Sequence, residues 1–174
     1  MPELTWDGKV LGQSTAVARF VAREVGIAGR NNVEMAQCDA IVDFCSEVVE
    51  GKIQIICVKV PMLKIMVIFL PSAAPPVAFA PDEATKKEAK EKFKGKLDSF
   101  IKNMEKLLDE NGGEWMVGKW FTWADLYVVV VLQQFTKKMA GMDFESAKLT
   151  ALSKKVYNIP KIKSYIDNRP DRPM

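Results

Sequence analysis

In MPELTWDGKVL an extended run, the turn pair Asp7-Gly8 and a second short run predict a β-hairpin. Ser14 then reads as a helix N-cap, because Ala16, Val17, Phe20, Val21 and Val25 follow at helical spacing on one face. Gly26 to Gly29 breaks that helix, and a second one, roughly Asn32 to Glu50, carries Cys38, Ile41, Val42, Cys45, Val48 and Val49 on one side. Its other side carries Asp39, Asp43 and Glu47 at four-residue steps, an acidic stripe. After Gly51 the helical period vanishes in KIQIICVKVPMLKIMVIFLPSAAPP, which is rich in β-branched residues. Two strand-like pieces, a buried helix and an inserted segment foreign to the fold are the readings it leaves open.

Regular patterning resumes after Pro81, where Phe93, Leu97, Phe100, Ile101, Met104, Leu107 and Leu108 form one stripe of a long amphipathic helix with lysines on its solvated face. Asn111-Gly112-Gly113 is its stop signal. FTWADLYVVVVLQQFTKKM opens with a capping box, Thr122 and Asp125, and its continuous apolar run predicts a helix buried on nearly every side. Two shorter helices follow, one around Ser146 to Val156 and one opened by Pro160 and ended before Pro170. The pattern is therefore one short β piece followed by at least five helices, a mostly α fold.

Composition narrows the chemistry. The chain has 174 residues, 48% of them hydrophobic, enough for one sizeable core. Its net charge of +3 is spread along the chain and argues against nucleic acid as a partner. Three cysteines, Cys38, Cys45 and Cys57, lack metal-ligand spacing, so no metal is expected, and free thiols point to a reducing, cytoplasmic compartment. The absence of histidine removes the commonest general base and zinc ligand. Lys59, Pro61 and Lys64 interrupt the apolar run after Gly51, and each such lysine costs roughly 2.5–3.5 kcal/mol in a bilayer, so no membrane span is expected.

MPELTWDGKVLGQSTAVARFVAREVGIAGR resembles the end of the thioredoxin-like domain of cytosolic glutathione transferases, particularly the sigma class that includes glutathione-dependent prostaglandin D synthases. EMAQCDAIVDF, NGGEWMVGKWFTWADLYV and KKVYNIPKIKSYIDNRP are similar to that family's helical domain, in the same order. The resemblance implies a partial thioredoxin-like unit at 1–29, a hairpin plus helix, and an all-helical C-terminal domain at 30–174 with an atypical apolar insertion at 52–76. It implies that Pro2 turns the backbone so that Met1 pairs with the cysteinyl part of glutathione, and that Gln13 and Ser14 hold the γ-glutamyl end. Taken alone, Ser14 is an ordinary structural cap. In the family an acid at the position of Glu47 reaches the partner subunit's glutathione, and Asp39 and Asp43 face Arg19 and Arg23 across a homodimer interface, with a solvated face as the alternative.

The implied activity is attack of the glutathione thiolate on a small hydrophobic electrophile, or glutathione-dependent isomerisation, with glutathione as co-substrate and no other cofactor. The thiolate-activating tyrosine of the family lies in a part that would precede Met1, and none of Tyr127, Tyr157 and Tyr165 falls in a segment that replaces it. The expectation is thus a chain starting internally at Met1 with residues 52–76 read through, with no catalytic residue of its own and little or no activity. A catalytically silent binding protein, or a structural one like the S-crystallins, is the alternative.

Overall fold

The computed structural model describes residues 3–50, 57–60, 63–67, 83–138 and 146–168. Strands β1 (Glu3–Trp6) and β2 (Lys9–Gly12) pair antiparallel, with Trp6 opposite Lys9 and Glu3 opposite Gly12. Asp7 and Gly8 take positive φ values of 47° and 73° between them, the tight turn that an Asp-Gly pair supplies with little strain. Helix α1 (Ser14–Glu24) follows at once, and an edge-on contact of Trp6 with Phe20, 5.4 Å between centroids, sets the hairpin against it.

Helices α2 (Asn32–Glu50), α3 (Glu83–Glu110), α4 (Trp123–Lys138), α5 (Ala147–Tyr157) and α6 (Pro160–Asn168) complete the element order after that start. The predicted apolar stripes meet in one core. Cys38, Val42 and Cys45 of α2, Phe100 and Met104 of α3, Val128 and Leu132 of α4 and Leu149 and Val156 of α5 are all fully buried. Phe44 and Phe100 stack at 5.6 Å where α2 meets α3. Burying each large apolar side chain contributes about 1.5–3 kcal/mol, so the helical body carries most of the stabilisation. Among the described side chains of the α4 apolar run, Val130 is exposed at 38% and Leu126 and Tyr127 are half-buried, so the run is not enclosed on every side. Gly113 N–H bonds back to Leu108 C=O at 2.7 Å, the cap that ends α3 where the Asn-Gly-Gly signal predicts.

Within the apolar segment two strands are present, β3 (Cys57–Val60) and β4 (Leu63–Val67), paired antiparallel with Cys57 opposite Val67 and a register shift between Val58 and Val60. Strand-like pieces therefore form at 57–60 and 63–67. The rest of 52–76, Phe93's side chain, and Met1 and Pro2 lie outside what is described.

Candidate functional site

Two candidate residues sit where β2 hands over to α1. The N-cap is Gln13, with φ 70° and ψ 114°, and Ser14 is the first helical residue, which corrects the assignment of Ser14 as the cap. Gln13 makes no side-chain cap hydrogen bond. The helical ladder begins with Val17 N–H to Gln13 C=O at 2.9 Å, so the amides of Ser14, Thr15 and Ala16 precede its first bond. Among the described residues no side chain accepts from those three amides, and Gln13 and Ser14 are both exposed. The result is an open helix end: three N–H donors without a side-chain acceptor, an exposed serine and the positive end of the helix dipole. A non-glycine residue at positive φ costs on the order of 1–3 kcal/mol, and such strain clusters at functional sites.

Helix α1 is held to the body by charge. Arg19 Nε donates to Asp39 Oδ1 at 2.8 Å and Arg19 Nη2 to Asp43 Oδ1 at 3.2 Å, while Arg23 Nη2 lies 3.8 Å from Asp39 Oδ2. The Arg19 guanidinium also lies over the Trp123 ring, 5.7 Å from its centroid. The Asp39 hydrogen bond is the main cause that raises the Arg19 pKa further above its already high ordinary value. The side chains expected to face each other over a subunit interface pair within this chain, between α1 and α2. Glu47, one turn beyond Asp43, is half-buried. Beside it Ser46 Oγ bonds Val42 C=O at 3.0 Å and the Tyr127 hydroxyl at 2.8 Å, fixing that tyrosine between α2 and α4.

The starts of α2, α4 and α5 are closed by side chains. Asn31 Oδ1 accepts from Val33 N–H at 3.0 Å and Glu34 N–H at 2.9 Å at the start of α2. Ser146 Oγ accepts from Leu149 N–H at 3.1 Å and donates to Glu105 Oε1 at 2.6 Å at the start of α5. At α4, Asp125 is fully buried, and its Oδ2 accepts from both the Thr122 amide and hydroxyl at 2.7 Å while Oδ1 accepts from Met116 N–H at 2.7 Å. Burial pushes the Asp125 pKa above the usual carboxylate range, and these hydrogen bonds oppose the shift. The Trp123 amide adds a bond to Ile27 C=O at 2.9 Å, tying the turn after α1 to this corner.

Burial pushes the thiol of Cys38 up to about 11 and that of Cys45 up to about 12, so neither is a nucleophile near neutrality. Among the described residues no group of three or more Cys, Asp or Glu side chains could hold a metal ion, and no described helix is long and apolar enough to cross a membrane. Sequence reasoning did not find the strained Gln13 or the Arg19–Trp123 stack. A single chain carries no signal for a positive φ at glutamine, whereas the acidic stripe on α2 was readable from its spacing and Arg19 and Arg23 as its partners were implied by the resemblance.

Comparison with known proteins bears on this arrangement. Residues 72–169 match the family described as Glutathione S-transferase, C-terminal domain. The chain is 35% identical to the probable glutathione S-transferase 6 of Caenorhabditis elegans, over 99% of this chain and 75% of that one. It is 30% identical to the hematopoietic prostaglandin D synthase of Gallus gallus, over 98% of this chain and 73% of that one. Among solved structures it superposes on Na-GST-3, a glutathione S-transferase of the hookworm Necator americanus, with a TM-score of 0.75 and 29% identity, covering all of this chain and 76% of the other.

Proposed function

This chain belongs to the glutathione S-transferase family, with that family's all-helical C-terminal domain and a thioredoxin-like hairpin start, and we propose that within it the open end of α1 binds glutathione by its γ-glutamyl carboxylate. The carboxylate accepts from the amides of Ser14 and Thr15 and from the Ser14 hydroxyl, with Gln13 beside them. Met1 and Pro2 pair with the cysteinyl part of the tripeptide, and Glu47 reaches the glutathione amine held by a partner subunit. Resemblance to prostaglandin D synthase supports the sigma type, and in this reading a small hydrophobic electrophile is the second substrate and the cytoplasm the location. The reaction class is thioether formation, in which the glutathione sulfur bonds to the electrophilic carbon and the leaving group departs with its electron pair.

The observation that carries this reading is the contrast in capping: α2, α4 and α5 begin on satisfied donors, and α1 begins on three amides with no side-chain acceptor among the described residues, behind a strained glutamine. A homodimer is typical of the family, and Arg19, Arg23, Asp39 and Asp43 are the side chains we assign to the rim of that contact, their pairing within the chain holding α1 in place. Calorimetry of glutathione binding tests the proposal. Saturable binding that weakens about tenfold or more in Ser14→Ala is the expected result, since a hydrogen bond to a charged group contributes about 1.5–3 kcal/mol. Binding indifferent to Ser14→Ala contradicts it. A second reading, a structural protein without turnover, draws support from the 28% identity to S-crystallin SL11 of Nototodarus sloanii, and saturable binding without conjugation of a reactive aryl halide would favour it.

A further inference from the structure

A cleft of about 260 Å³ opens at the far end of α1 from Ser14, between the turn that follows α1 and the loop that enters α4. Ile27, Gly29, Arg30, Glu34, Trp120 and Phe121 line it. Two opposite charges face this one space without neutralising each other. The Arg30 guanidinium lies over the Trp120 ring, its Cζ 3.6 Å from the centroid, and among the described residues no carboxylate comes within ion-pair distance of it. Stacking occupies one face of the guanidinium and leaves its in-plane N–H fork, the part that grips carboxylates in two parallel bonds, directed at its edges.

Glu34 is held back by the backbone. Its Oε2 accepts from the Arg30 amide at 2.8 Å. Gly118, with φ 62°, lets the carboxylate lie so close that an added Cβ would stand 3.2 Å from Oε1. Gly29, with φ 112°, likewise has no room for a side chain, because a Cβ there would meet Met35 N at 2.8 Å. These two glycines fix the start of α2 against the loop before α4 and so fix where Glu34 points. Oε2 has a structural partner. Oε1 accepts no hydrogen bond among the described residues.

We infer that this cleft is a binding site for a small zwitterion with a flat apolar body, of the aromatic α-amino acid class. Its carboxylate takes the Arg30 fork, its ammonium takes Glu34 Oε1, and its ring lies against Ile27 and Phe121. A simple anion would meet the Glu34 charge and a simple cation the Arg30 charge, whereas a zwitterion satisfies both at once. The space is adequate: a cavity of about 150 Å³ holds benzene, which leaves room here for the backbone atoms of an amino acid. This site is separate from the glutathione proposal and stands or falls without it.

The test is calorimetric titration of the full chain with L-phenylalanine, with N-acetyl-L-phenylalanine, which lacks the ammonium, and with phenethylamine, which lacks the carboxylate. Saturable binding of L-phenylalanine is expected, with each analogue weaker by about tenfold or more. Arg30→Lys keeps the charge on an exposed side chain but loses the fork and the stack, and it should weaken L-phenylalanine about tenfold. Glu34→Gln keeps an oxygen for the Arg30 amide and should weaken L-phenylalanine while leaving N-acetyl-L-phenylalanine unchanged. No saturable binding of L-phenylalanine at tens of millimolar, equal binding of the three ligands, or binding unchanged in Arg30→Lys overturns the inference.

Discussion

Helices α1 and α4 both begin on short polar side chains, Gln13 and Ser14 in one case, Thr122 and Asp125 in the other. At α4 the carboxylate of Asp125 is fully buried and accepts three hydrogen bonds, so both of its oxygens are engaged in holding the chain together. At α1 the glutamine and serine are exposed, the backbone is bent to a positive φ, and the first amides have no partner in the described chain. Similar residues at similar positions thus do different work, and burial with complete hydrogen bonding is what separates a structural start from a binding one. Of the starts compared, those of α2, α4 and α5 lie in the helical body and are closed, and that of α1 lies at the hairpin and is open.

Removing the most enclosed of these groups should do the most damage. Asp125→Ala leaves the Thr122 and Met116 amides buried without acceptors, and a loss of about 2–5 kcal/mol in urea unfolding is expected. An effect no larger than that of a surface substitution would erase the distinction between the two helix starts. The buried thiols give the same body a pH signature. Their folded pKa values, about 11 and about 12, lie above the ordinary 9.0, so the protonated thiols' contribution is whole below pH 9 and falls as pH rises toward 12. Urea midpoints measured over that range should drop in the wild type and drop less in Cys45→Ala.

Smaller effects sharpen the contrast. Asn31→Ala removes a satisfied cap from α2 and should cost about 1 kcal/mol. Gln13→Gly should move in the other direction, stabilising by about 0.5–1 kcal/mol because glycine tolerates the positive φ, while glutathione binding weakens. Ser14→Ala should change stability least, within about 0.5 kcal/mol, since its hydroxyl makes no bond in the described chain. A Ser14→Ala loss as large as that of Asn31→Ala, by the same unfolding measurement, would mean that Ser14 is a structural cap after all.

Much of this was legible in the residues. The Asp7-Gly8 turn, the α2 and α3 stripes, the Asn-Gly-Gly stop and the Thr122–Asp125 box depend on local periodicity and turn chemistry, and each formed where local rules place it. The segment after Gly51 gave only an undirected apolar run, since a short β-branched stretch without alternation fits several environments equally. At the candidate site the serine and glutamine were readable but the cap position was off by one, because which residue leaves helical geometry depends on how β2 delivers the chain. The acidic stripe was readable as charge, whereas its pairing with Arg19 and Arg23 inside the chain depends on how α1 and α2 lie in space, which no local pattern encodes.

Amide resonances followed during a glutathione titration test the central claim most directly, since they report on each helix start separately. The account predicts saturable shifts at Ser14, Thr15 and Ala16, with Val33, Glu34 and Leu149 at the capped starts of α2 and α5 left in place. Shifts centred on the capped starts, or none at the three open amides under saturating glutathione, would contradict it.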